Sequence, residues 1–162
     1  MEKAGAVIFK DASANKGGVT SSSLEVLAAL AFNDEEFDMH MQVKDDKPSP
    51  FYNEYIKTVH AIIERNAELE FECIWRESER TGKLKSITSD LLSVAIVKLN
   101  EELQNTTLWD NEPLRRVVLK EAFPKLLLEK LGLDTLMKRI PESYVKAIFG
   151  SYLASRFGAL FF

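Results

Sequence analysis

Only one stretch of this chain, Ala6 to Lys10, reads as a strand, and that limits what the whole can become. Ala6, Val7, Ile8 and Phe9 form a continuous apolar run of the kind that lies buried on both faces of a parallel sheet. One strand cannot make a sheet, and no second run with strand character follows. Its backbone groups have no evident partner in the chain, which predicts a missing neighbour and poor solubility of the chain alone. The remaining apolar residues recur at helical spacing, so the predicted fold is mainly α.

The strand leads into Asp11–Glu25, reading DASANKGGVTSSSLE. Gly17 and Gly18 let backbone come close to a ligand, and the helix that follows aims free N–H groups outward. The Ser and Thr hydroxyls add donors, so a carboxylate or phosphate would meet hydrogen bonds and the positive end of a helix dipole. A plainer account fits the same residues: a tight turn followed by helix caps, with Ser21 or Ser22 as the capping residue. Spacing alone favours the plainer account.

Helical spacing continues through Leu24, Val26, Leu27, Leu30 and Ala31, to an end near Phe32. Residues 33–50 are acidic and then turn-rich; DEEFD predicts a short helical turn and KDDKPSP an exposed connector. Ser49 and Pro50 start a long amphipathic helix over residues 51–80, with Gly82 as its stop. The next helix, Ser89–Gln104, is apolar on more than one side and is expected inside the bundle. Asn111 and Pro113 open another, to about Ala122; Pro124 restarts it before Gly132, and Asp134 is a candidate cap for a short turn. Pro141 opens the last helix, whose paired positions Tyr144/Val145, Ile148/Phe149 and Tyr152/Leu153 read as core.

Charge and composition remove several classes of function. A net charge of -4, with basic residues scattered in pairs, argues against nucleic acid. The single cysteine, Cys73, excludes an internal disulfide, and two histidines, His40 and His60, make no metal-ligand set. A reducing, intracellular setting is expected, cytoplasmic or mitochondrial, with no targeting segment, and Cys73 reads as a buried structural thiol. No apolar run approaches the roughly 18 residues that would cross a bilayer.

The run Lys10–Leu27, KDASANKGGVTSSSLEVL, resembles the large NAD-specific glutamate dehydrogenases of fungi and other lower eukaryotes. The likeness extends to DKPSPFYNEYIK, ITSDLLSVAIVKLNEELQN, LLLEKLGLDTLMKRIPESY and AIFGSYLASRF, which look like consecutive stretches of that enzyme's C-terminal region. The resemblance implies that Asn15, Gly17 and Gly18 approach the nicotinamide end of NAD. It implies that Val19 and Ser22 contact the side chain and distal carboxylate of glutamate or 2-oxoglutarate. Two positions depart from the pattern: Lys16 stands where many smaller members have alanine, though it fits the large NAD-specific branch, and the terminal GALFF replaces a longer tail, so the chain is expected to be truncated at both ends or altered in its last residues.

The resemblance also implies the organisation. Residues 1–32 would be the end of a nucleotide-binding domain, 33–50 a connector and 51–162 a helical C-terminal region of about six helices. The fold class is then mainly α, with one N-terminal strand left over from an α/β nucleotide-binding domain. The parent would be a homo-oligomer that uses NAD and binds neither nucleic acid, membrane nor metal. No catalytic residue falls within the chain: its seven glycines never form GxGxxG, and the family's catalytic lysine and aspartate lie upstream of the matched stretches. The expectation is an inactive portion of a glutamate dehydrogenase that does not bind NAD alone. The alternative is a helical protein–protein interaction module.

Overall fold

A computed structural model describes the backbone of residues 1–161 and the side chains of residues 1–158. The terminal GALFF departure therefore lies largely outside the described residues. Besides 3-10 turns at Glu2–Ala4 and Leu108–Asp110, the α-helices are α1 (Asp11–Ala14), α2 (Gly17–Ala31), α3 (Asp34–His40), α4 (Pro50–Thr81), α5 (Lys85–Gln104), α6 (Glu112–Ala122), α7 (Lys125–Leu131), α8 (Leu133–Arg139) and α9 (Glu142–Phe161). The mainly α expectation holds, with six α-helices after residue 49 among the described residues.

The expected strand does not form. Residues 6–10 have no regular structure, and among the described residues the sole β pairing is an isolated bridge between Lys44 and Lys47. The physical reason was already visible: with no second strand there is nothing to receive its hydrogen bonds. The apolar side chains find helices instead. The Phe9 ring stacks on Phe71 at 4.8 Å and on Trp75 at 6.4 Å, both on α4.

Helix α4 is the spine, 32 residues and so about 48 Å long. Ser49 caps its start by accepting from the Tyr52 N–H at 3.0 Å, with Pro50 in the first turn. It ends at Gly82, whose φ of +67° is a left-handed conformation that a side chain would strain. The main core gathers Leu27, Ala28 and Ala31 of α2 with Tyr55 and Val59 of α4, Val118 and Leu119 of α6, Leu127 of α7, Leu136 of α8, and Val145 and Phe149 of α9. The aromatic stripe of α9 is thus core, as its spacing predicts. A smaller cluster, Cys73, Ile74 and Leu92, joins α4 to α5, with Phe9 and Ile96 packed on it. The Cys73 thiol is buried as expected, and burial pushes its pKa up.

Helix α5 departs from expectation twice. It begins at Lys85 rather than Ser89, because the remote carboxylate of Glu2 accepts from the Ser86 N–H at 3.2 Å and also takes the Ser86 hydroxyl. That cap is 84 residues away and invisible to local reading. Nor does α5 lie inside the bundle. It packs on α9 and α4, but Ile87, Leu91, Val94 and Val97 remain exposed. Where α5 meets α9 the approach is close: a Cβ on Gly158 would stand 2.7 Å from Ile96 Cγ1. Asp134 does not cap α8; it pairs with Arg116 at 2.6 Å, and Gly132, the residue before the helix, occupies the cap. No helix among the described residues is long and apolar enough to cross a membrane.

Candidate active-site loop

The residues singled out in the sequence all lie on the passage from α1 to α2. Asn15 closes α1, its N–H donating to the Asp11 carbonyl at 2.7 Å. Its side-chain Oδ1 accepts from the Gly17 N–H at 3.3 Å, which fixes the carboxamide across the start of α2. Lys16 takes the N-cap position, and α2 begins at Gly17, four residues before the first serine expected to cap it. The Ser21 and Ser22 hydroxyls instead bond back along the helix. Ser21 donates to the Gly18 carbonyl at 3.1 Å; Ser22 lies 3.0 Å from the Gly18 carbonyl and 3.1 Å from that of Val19.

This geometry leaves the first turn of α2 open to a ligand. The N–H groups of a first helical turn lack intrahelical partners, and here no serine or threonine cap covers them. Gly18 is exposed, with no heavy atom within 4 Å of where a Cβ would stand, and the Val19 side chain is 81% exposed. Val19 and Ser22 are three residues apart on the helix and share a face. Asn15, Gly17, Gly18, Val19 and Ser22 are therefore brought together around one helix N-terminus. The Ser22 hydroxyl must turn away from the helix carbonyls before it can donate to an incoming carboxylate.

Helix α2 is held firmly from below. The buried Tyr55 hydroxyl donates to the Leu24 carbonyl at 2.6 Å, and burial raises its pKa well above that of free tyrosine. Arg139 donates to the Ala31 carbonyl at 3.0 Å and pairs with Glu36 at 2.5 Å. The segment before α2 is tied to the α4–α5 hairpin at four more points. Ser13 and Ser89 share a buried hydroxyl–hydroxyl contact, Lys10 meets Asp90 at 2.5 Å, Lys16 meets Glu70 at 2.6 Å, and Glu2 caps α5. Reading the sequence singled out none of these partners; only the acid-and-base composition of the two segments hinted at pairing.

The donor set suits a carboxylate: backbone N–H groups, a hydroxyl and the dipole of a fifteen-residue helix, with no acidic side chain among the five residues. Nothing in the loop fits a pyrophosphate clamp, because the GxGxxG turn is absent from the sequence. No group of acidic, histidine or cysteine side chains among the described residues could hold a metal.

The combination of this loop with a helical body has close counterparts among known proteins. The model of the glutamate/leucine/phenylalanine/valine dehydrogenases matches residues 1–82, and the chain belongs to that family. Over 157 residues it is 64% identical to glutamate dehydrogenase 2 of Dictyostelium discoideum. It is 58% identical over 158 residues to the NAD-specific glutamate dehydrogenase of Neurospora crassa, and 43% identical over 162 residues to that of Saccharomyces cerevisiae. Each alignment covers 97% of this chain but only 15% of the relative, so the chain spans about a seventh of the length of these proteins. No solved structure matches it.

Proposed function

We propose that this chain is the C-terminal part of an NAD-dependent glutamate dehydrogenase, which converts glutamate, NAD and water to 2-oxoglutarate, ammonia and NADH. The observation that carries the reading is similarity along nearly the whole chain to NAD-specific glutamate dehydrogenases, joined to an open, donor-rich loop. In this reading Asn15, Gly17 and Gly18 line the nicotinamide side of the site. Val19 and Ser22 take the substrate side chain and its distal carboxylate. NAD, when bound, supplies the hydride acceptor; this segment positions and binds. Residues 1–32 close the nucleotide-binding domain, 33–50 connect, and 51–162 form the helical region of an intracellular, homo-oligomeric enzyme, cytoplasmic or mitochondrial.

Alone, the 162-residue chain has one wall of that site and no turnover, since stabilising the transition state requires several groups held together. Purified chain is expected to show no glutamate-dependent reduction of NAD; turnover would overturn this. In the complete enzyme, Ser22→Ala is expected to raise KM for glutamate by about tenfold, the order of one hydrogen bond to a charged group. KM for NAD should stay near its original value, and an unchanged KM for glutamate would remove Ser22 from the site. The second reading, an interaction module without catalysis, draws on the exposed Ile87, Leu91 and Val94 of α5. A stable dimer of the chain in solution would favour it, and a clean monomer would count against it.

A further inference from the structure

We propose that Glu70 is a positioning residue for the active-site loop, holding Lys16 so that the donors of the first α2 turn stay aimed at the substrate carboxylate. The inference rests on the substrate-binding reading given above. Glu70 lies on α4, far from the loop in sequence, yet its carboxylate meets Lys16 Nζ at 2.6 Å. Both side chains are only 23% exposed, and no other ion pair among the described residues hides both partners to that degree. Water and salt screen such a pair less than the exposed Lys10–Asp90 pair, whose members are 44% and 60% exposed.

Its placement matters as much as its burial. Lys16 is the N-cap of α2 and directly precedes Gly17 and Gly18, where a polypeptide is most easily bent. The N-cap residue itself makes no side-chain cap, and the one local tie is the long 3.3 Å bond from the Gly17 N–H to Asn15 Oδ1, so local sequence fixes the direction of the remaining N–H groups only weakly. Anchoring Lys16 to the middle of a 32-residue helix, itself packed on α2, α5, α7 and α9, supplies the missing constraint. Glu70 touches neither substrate nor cofactor; it acts through Lys16 on the loop's preorganisation.

The test has two readouts. In the purified chain, Glu70→Gln is expected to raise the nanosecond mobility of the Gly17, Gly18 and Val19 amides, read by 15N relaxation, while the denaturation midpoint stays unchanged. Lys16→Gln should do the same from the other side of the pair, and the charge swap Lys16→Glu with Glu70→Lys should restore order. In the complete enzyme, Glu70→Gln is expected to raise KM for 2-oxoglutarate about fivefold and KM for NADH by less, with kcat nearly unchanged. A loop equally rigid in both single variants overturns the proposal. A mobilised loop with unchanged KM overturns its functional half, and if Ser22→Ala is then also silent, the substrate reading of the loop falls with it.

Discussion

The first sixteen residues and the helical body beyond residue 49 are held by different physics. The body rests on apolar side chains repeated along helices, with Leu119, Leu127 and Leu136 completely buried. The loop segment has one buried residue, Ser13, and is held by single long-range contacts: a carboxylate cap, two lysine–acid pairs, one shared hydroxyl contact and the Phe9 ring. Burial is additive and non-directional, so the body can lose a contact and keep its shape. Polar ties are directional and separately weak, so the segment can be adjusted without unfolding the rest.

The strongest way to break this contrast is to open the body. Leu136→Ala, at a side chain with no exposed surface, is expected to cost about 2–5 kcal/mol, read from the urea midpoint. A smaller loss would mean that the core is less tightly packed than it looks. Gly158→Ala comes next. Its methyl would meet the stiff Ile96 side chain at 2.7 Å, and the expected penalty is about 1–2 kcal/mol despite the better helix propensity of alanine. Ile96→Ala in the same chain should recover part of that loss, which separates a clash from any other effect of the substitution.

A subtler lever is pH, acting on α3, which connects α2 to α4. The Glu36 carboxyl is held below the usual carboxylate range, first by its hydrogen bond from Arg139 and then by the Asn33 backbone. The His40 imidazole is also depressed, by burial beside Phe32 and Phe51 and by the positive charge of Lys130. A depressed folded pKa means that the unfolded chain takes up the proton first as pH falls. Stability is therefore full above about 6.5, begins to fall as histidine protonates in the unfolded chain, and falls again below about 4.3 as Glu36 does so. His40→Gln should flatten the upper step and Glu36→Gln the lower, measured as urea midpoints from pH 7 to pH 3.

The smallest expected effect on stability is at Phe9. Phe9→Ala removes its stacking on Phe71 and Trp75 and is expected to leave the global midpoint almost unmoved, while raising amide exchange across residues 6–16. A midpoint shift comparable to that of Leu136→Ala would erase the distinction between segment and body.

The same contrast explains what the sequence reveals. Helix α4 is readable to within a residue or two, because Ser49, Pro50 and Gly82 mark its ends and its apolar spacing is regular. The core face of α9 is equally plain. The start of α5 is not, since its cap comes from Glu2, and its exposure is not, since an all-round apolar helix normally implies burial. Residues 6–9 have the composition of a strand but no partner, and composition alone cannot supply one. At the loop, the identities of Asn15, Gly17, Gly18, Val19 and Ser22 are legible because they fall within eight consecutive residues. The ties beside them, Lys16–Glu70 and Ser13–Ser89, join residues more than fifty positions apart and leave no local signal.

The cap on α5 also has a consequence in time. Glu2 is synthesised 84 residues before Ser86, the group it caps. Joining them closes a long loop, a step slower than winding the helices or pairing neighbouring ones. The body can therefore assemble while the leading segment is still searching. The loop is made before the helices that hold it and is set after them.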